Sequence, residues 1–128
     1  MPHFPPDLAR IIPPGTDLGL RRFVVVTFDF EATHCWPECP IPEVAFLQNP
    51  HRHVFKVTLK KAVQHNDRDV EIIMLKRQAL RIVAKRGMDL GRTSCEDLAE
   101  WLLGALGCCE VQVLEDGENG SVVALGHG

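Results

Sequence analysis

At 128 residues, 45% apolar and 24% charged, the chain has the size and balance of one soluble globular domain with a real hydrophobic core. A net charge of −3 argues against a broad grip on nucleic acid or an anionic membrane, and no apolar run nears the roughly 20 residues that span a bilayer. Its five cysteines are odd in number and two adjoin, Cys108 and Cys109, so reduced thiols fit better than a disulfide framework.

Residues 1–20 are rich in Pro and Gly and hold no sustained period, so they read as an irregular N-terminal arm ahead of a domain over 21–128. The arm lacks the basic start and long apolar centre of a signal peptide, which makes the cytoplasm the expected compartment. "RRFVVVTFDFEA" (21–32) sets Val24, Val26, Phe28 and Phe30 on one face and Val25, Thr27, Asp29 and Glu31 on the other, the period of a strand. "HRHVFKVTLKKAV" (51–63) alternates likewise, with Phe55, Val57 and Leu59 on one face. Over 69–86 the period changes: Ile72, Leu75, Ala79, Ile82 and Val83 form a helical stripe, and Gly87 is a natural stop. Thr93 followed by Glu96 has the T-x-x-E spacing of a capping box, and Leu98, Trp101, Leu102, Ala105 and Leu106 continue as a second helix. "CEVQVLE" (109–115) and "SVVAL" (121–125) read as two strands joined by "DGENG". The order β-β-α-α-β-β predicts an α+β fold, a four-stranded antiparallel sheet with both helices on one face.

Three histidines stand out. His51 and His53 are two apart on a strand and share a face, and His34 has the parity of Phe30 where the first strand ends. If the strands pair, three imidazoles meet near one end of the sheet, a set that suits zinc and leaves a fourth position for water or substrate. Two other readings stand beside it: a solvent-facing histidine pair, and a structural knuckle of His34, Cys35 and Cys39 that needs a further ligand.

These segments also carry a resemblance. "FDFEATHCW" looks like the F-x-A-x-H segment of the 6-pyruvoyl- and 6-carboxytetrahydropterin synthases, and "NPHRHVFKV" resembles their N-P-H-G-H-x-Y-x-V strand. "RTSCEDLAEWLLGAL" is similar to their P-T-x-E-N-L-A-x-W helix, and "VQVLEDGENGSVV" to their V-x-V-x-E-T segment and last strand. The blocks keep the family order over most of residues 23–125. The resemblance implies the tunnelling fold, in which subunits share a barrel in a trimer or hexamer, with zinc on His34, His51 and His53. It implies a lyase acting on dihydroneopterin triphosphate or a related pterin or purine, as in 7-deazaguanine and queuosine precursor synthesis. Glu115 matches the glutamate that anchors the pterin ring; a carboxylate can accept two parallel hydrogen bonds from such a ring. Thr93 and Glu96, in the matching helix-start segment, join it as substrate-binding candidates. The implied partners are a small pterin or purine and further copies of the chain, with no membrane and no nucleic acid.

Three departures concern the acid–base machinery. Leu47 stands where the family has a cysteine base, four residues before the first histidine of H-x-H. Arg52 replaces the glycine between the two histidines, and "GMDLGR" (87–92) is too short for the family's L-D-H-x-x-L-N relay. Substitute catalytic candidates are Cys95, in the first turn of the second helix where the dipole favours a thiolate, Cys39 in the first loop, and His65 in the polar cluster "HNDRDVE". Against them stand the roles of small buried hydrophobe for the cysteines and solvated turn for the cluster. The competing functions are a zinc-dependent lyase, a non-catalytic zinc-containing pterin or purine binder, and a structural zinc module.

Overall fold

The alternating runs form strands β1 (Arg22–His34), β2 (His51–Val63), β3 (Glu110–Glu115) and β4 (Asn119–Ala124), and the helical stripes form α1 (Ile72–Arg86) and α2 (Cys95–Leu106). A computed structural model describes residues 19–126, so the expected N-terminal arm lies, but for its last two residues, outside the described residues. The strands make one open antiparallel sheet in the order β1-β2-β3-β4. Between β1 and β2 a 3-10 segment, Pro42–Gln48, fills the connection.

Period two explains the layering. Val26, Phe28, Phe55, Val57, Leu59, Val111 and Val113 point to one face and pack under Leu75, Ala79 and Val83 of α1 and Leu98, Leu102 and Leu106 of α2. Phe55, Leu59, Leu98 and Leu102 are almost wholly buried, each contributing roughly 1.5–3 kcal/mol by leaving water. Among the described residues nothing covers the opposite face, where Val25, Val54 and Val122 are exposed.

Several boundaries differ from the sequence reading. β1 continues to His34 because it pairs with β2 over its whole length, from Arg22↔Val63 to His34↔His51. α1 begins only at Ile72, because the Glu71 side chain accepts the Met74 N–H and caps it; Ile72 itself is half exposed, outside the buried stripe. The capping box of α2 is Ser94–Asp97, one residue later than the expected Thr93–Glu96. Both pairs have the right spacing. The Thr93 hydroxyl instead donates to the Leu90 carbonyl at 2.6 Å, which leaves Ser94 to cap.

The short connection between the helices lies along the end of β1. Thr33 N–H donates to Met88 O at 2.8 Å, Leu90 N–H to Thr33 O at 2.9 Å, and Cys35 N–H to Gly91 O at 2.8 Å. A segment too short for a relay thus acts as an added strand-like rung that sets Thr93 beside His34. Among the described residues, no helix is long and apolar enough to cross a membrane.

Candidate metal centre

Two strand ends and a turn build this site. His34 and His51 are direct partners across β1 and β2, and His53 stands two residues along β2 on the same face. Their ring centroids lie 4.5 Å (His34–His51), 5.0 Å (His51–His53) and 5.3 Å (His34–His53) apart. Glu115 arrives from β3, whose register sets it opposite Phe55. One potential ligand atom from each of these four residues lies within 4.8 Å of the others, so the group could hold a metal ion.

Each ring is oriented through its other nitrogen. His34 Nδ1–H donates to the Thr93 carbonyl at 2.8 Å and His51 Nδ1–H to the Asn49 carbonyl at 2.9 Å. A carbonyl only accepts, so the proton sits on Nδ1 in both rings. His53 Nδ1–H donates to Asp116 Oδ2 at 2.7 Å. That bond, ahead of a second from the Val54 N–H, holds the Asp116 carboxyl below the usual aspartate range. Asp116 reaches this place because it adopts a left-handed conformation, φ 55°, at the end of β3.

Neutral rings so oriented carry three Nε2 lone pairs, and all three Nε2 atoms are buried without a hydrogen-bond partner. His34 Nε2 lies 2.8 Å from Glu115 Oε2, a hydrogen-bonding distance. Two lone pairs alone would repel at that distance, so the pair of atoms calls for a shared proton or a metal ion between them. An unsatisfied buried acceptor costs about 1–3 kcal/mol, and three of them converging with a carboxylate form a donor set suited to a divalent metal. Imidazole ligands fixed by carbonyl and carboxylate partners are the usual outer shell of such a centre.

A cleft of about 480 Å³ opens over the site, with His34, His51, Leu47, Cys95 and Glu115 in its wall. Thr93 and Glu96 line it too; the Glu96 carboxylate accepts from the Ser121 hydroxyl. Arg52, at the glycine position of the resemblance, has the opposite parity and pairs with Glu31 on the solvent side, so it leaves the site clear.

The three catalytic candidates are placed differently. Cys95 lines the cleft, but burial first, then the charges of Glu115 and Glu96, push its thiol up to about 12. The expected dipole stabilisation of a thiolate is outweighed, and Cys95 is a neutral donor to Glu115. Cys39 is buried, directing its thiol to the carbonyls of Ile41 and Val44. His65 lies beyond the far end of β2, roughly 40 Å from His51 by strand rise, paired with Asp69. Cys35, a knuckle candidate with Cys39, instead lines the cleft.

Sequence reasoning missed Asp116, which it assigned to a turn. The residue pair D-G was legible only as a bend, since contact with His53 depends on β3 pairing with β2. The carbonyls of Thr93 and Asn49 carry no residue-type signal at all. The chain matches no protein-family model, and no curated protein matches it.

Proposed function

We propose that the chain is a zinc-dependent lyase of the tunnelling fold, similar to the 6-carboxytetrahydropterin synthases, acting on dihydroneopterin triphosphate or a related pterin or purine. The observation that carries the reading is the clustering of three buried Nε2 atoms without a hydrogen-bond partner, two of them on His34 and His51 in the wall of the cleft. His34, His51 and His53 would hold the zinc, which when bound acts as a Lewis acid and makes the proton beside a substrate hydroxyl or carbonyl more acidic. The cleft volume falls in the range of small-ligand sites, and Leu47 and Trp36 give it apolar wall for a flat ring. Glu115 is the acceptor available to ring N–H groups.

An oligomeric barrel belongs to the same reading. Among the described residues, β4 and most of β1 are open edges of the sheet, and Val25, Val54 and Val122 are exposed on its outer face. Closing such edges between copies removes an aggregation hazard. Light scattering is expected to give a trimer or hexamer; a stable monomer at micromolar concentration would remove the barrel.

A second reading, a zinc-containing pterin or purine binder without turnover, is favoured by one specific observation. Among the described residues, none of the expected substitutes replaces the family's cysteine: Leu47 is apolar, Cys95 is a neutral thiol, Cys39 faces away and His65 is distant. Incubating the zinc-loaded protein with dihydroneopterin triphosphate separates the two. Release of acetaldehyde and triphosphate is expected for the lyase; calorimetric binding of a neopterin without release selects the binder.

A further inference from the structure

The resemblance gives Glu115 to the pterin ring, but the geometry gives it a prior partner. Its Oε2 stands 2.8 Å from His34 Nε2 and 3.5 Å from His53 Nε2. With metal–ligand distances of about 2.0–2.2 Å, donors around a tetrahedral ion stand roughly 3.3–3.6 Å apart. The His53 separation falls within that spacing and the His34 separation falls short of it. Glu115 Oε2 is therefore placed as a fourth donor at the same point as the imidazoles. Its consecutive neighbour Asp116 holds the opposite side of the His53 ring, at Nδ1, so the end of β3 places a carboxylate on each side of one imidazole.

We infer that Glu115 is itself a ligand of the metal, closing a three-histidine, one-carboxylate centre, and that a molecule entering the cleft reaches the ion by displacing it. This rests on the metal half of the reading above and not on the pterin half. The histidines are poorly placed to leave: the side chains of His34 and His53 are 10% and 19% exposed, and each ring is tied through Nδ1. The Glu115 side chain keeps 29% exposure and lines the cleft. The donor with room to swing is the carboxylate. Once released, it lies in the same cleft wall, where it can accept hydrogen bonds from whatever took its place. One residue could then serve both the closed metal and the bound ligand.

The test compares wild type with Glu115→Gln and Glu115→Ala, using circular dichroism of the metal-free proteins to show that each is folded. Zinc affinity is read by competition with a chromogenic chelator, the ligand set by the visible spectrum of the cobalt(II)-substituted protein, and ease of access by azide titration of that spectrum. Affinity is expected to fall by at least roughly 10- to 100-fold in both variants, the loss produced even by removing an outer partner of a ligand. The cobalt spectrum should change, and azide should perturb Glu115→Ala at lower concentration than wild type, since no carboxylate has to leave. Equal zinc affinity, spectrum and azide response in wild type and Glu115→Ala would overturn the assignment while leaving the pterin reading intact. The expected metal changes in a protein that binds no neopterin would support the assignment and remove the pterin reading instead.

Discussion

The two ends of β2 carry the same residue types to opposite fates. At its start, His51 and His53 meet His34, Glu115 and Asp116. Beyond its finish, His65 sits among Asp67, Asp69 and Glu71. At the far end the carboxylates have other partners: Asp69 accepts the Gln64 N–H at 2.8 Å, Glu71 caps α1 and Asp67 pairs with Arg68. His65 Nδ1 accepts the Asp67 N–H at 3.2 Å, and its side chain is 56% exposed. At the near end the histidine Nδ1 atoms donate outward and their Nε2 lone pairs are left buried and convergent. Composition does not make a site; which nitrogen is free, and whether water reaches it, does.

The sharpest way to break this contrast is His51→Ala. Removing one of three imidazoles from the centre is expected to abolish stoichiometric zinc binding, read by metal analysis after dialysis. Full occupancy in that variant would point to the Cys35 and Cys39 thiols instead.

Asp116→Ala should have the next largest effect. It frees the His53 ring to rotate, and a loss of roughly 10- to 100-fold in zinc affinity is expected from chelator competition. Asp69→Ala, the corresponding change at the other end, should leave zinc affinity unaltered. Equal effects of the two would mean that the His53–Asp116 bond does not orient a ligand.

Glu71→Ala sharpens the comparison from the opposite side. Loss of the cap on α1 should cost about 1 kcal/mol in urea denaturation, with no change in metal affinity. The smallest effect is expected for His65→Ala: stability within about 0.5 kcal/mol of wild type and unchanged zinc content. A measurable loss of zinc or of turnover in this variant would bring the far end into the site, from a neighbouring copy of the chain.

Much of the frame was legible because it rests on short-range periodicity. Alternation from Val24 to Phe30 and from Phe55 to Leu59 assigned both faces of the sheet, and the structure buries the faces so assigned. The same parity placed His34, His51 and His53 on one side. Errors fell where two local solutions are nearly equal in energy. Thr93–Glu96 and Ser94–Asp97 both satisfy a capping box, and only the bond from the Thr93 hydroxyl to Leu90 separates them. Cys95 shows the other failure. Its place at a helix start favours a thiolate, while burial and the two carboxylates nearby, Glu115 and Glu96, oppose it more strongly.

By itself, then, the order of residues determined the element types, the core faces and the shared parity of three imidazoles, since each follows from the direction of successive side chains along one strand or helix. Only the tertiary structure decided that Glu115 and Asp116 flank His53, and that the Thr93 carbonyl meets His34. Those contacts join residues 59 to 63 positions apart along the chain. They depend on the register of β3 against β2 and on a connection bonded along β1, and a backbone carbonyl looks the same in every residue. The directions of the Nε2 atoms, on which the capacity to hold a metal ion turns, were settled there.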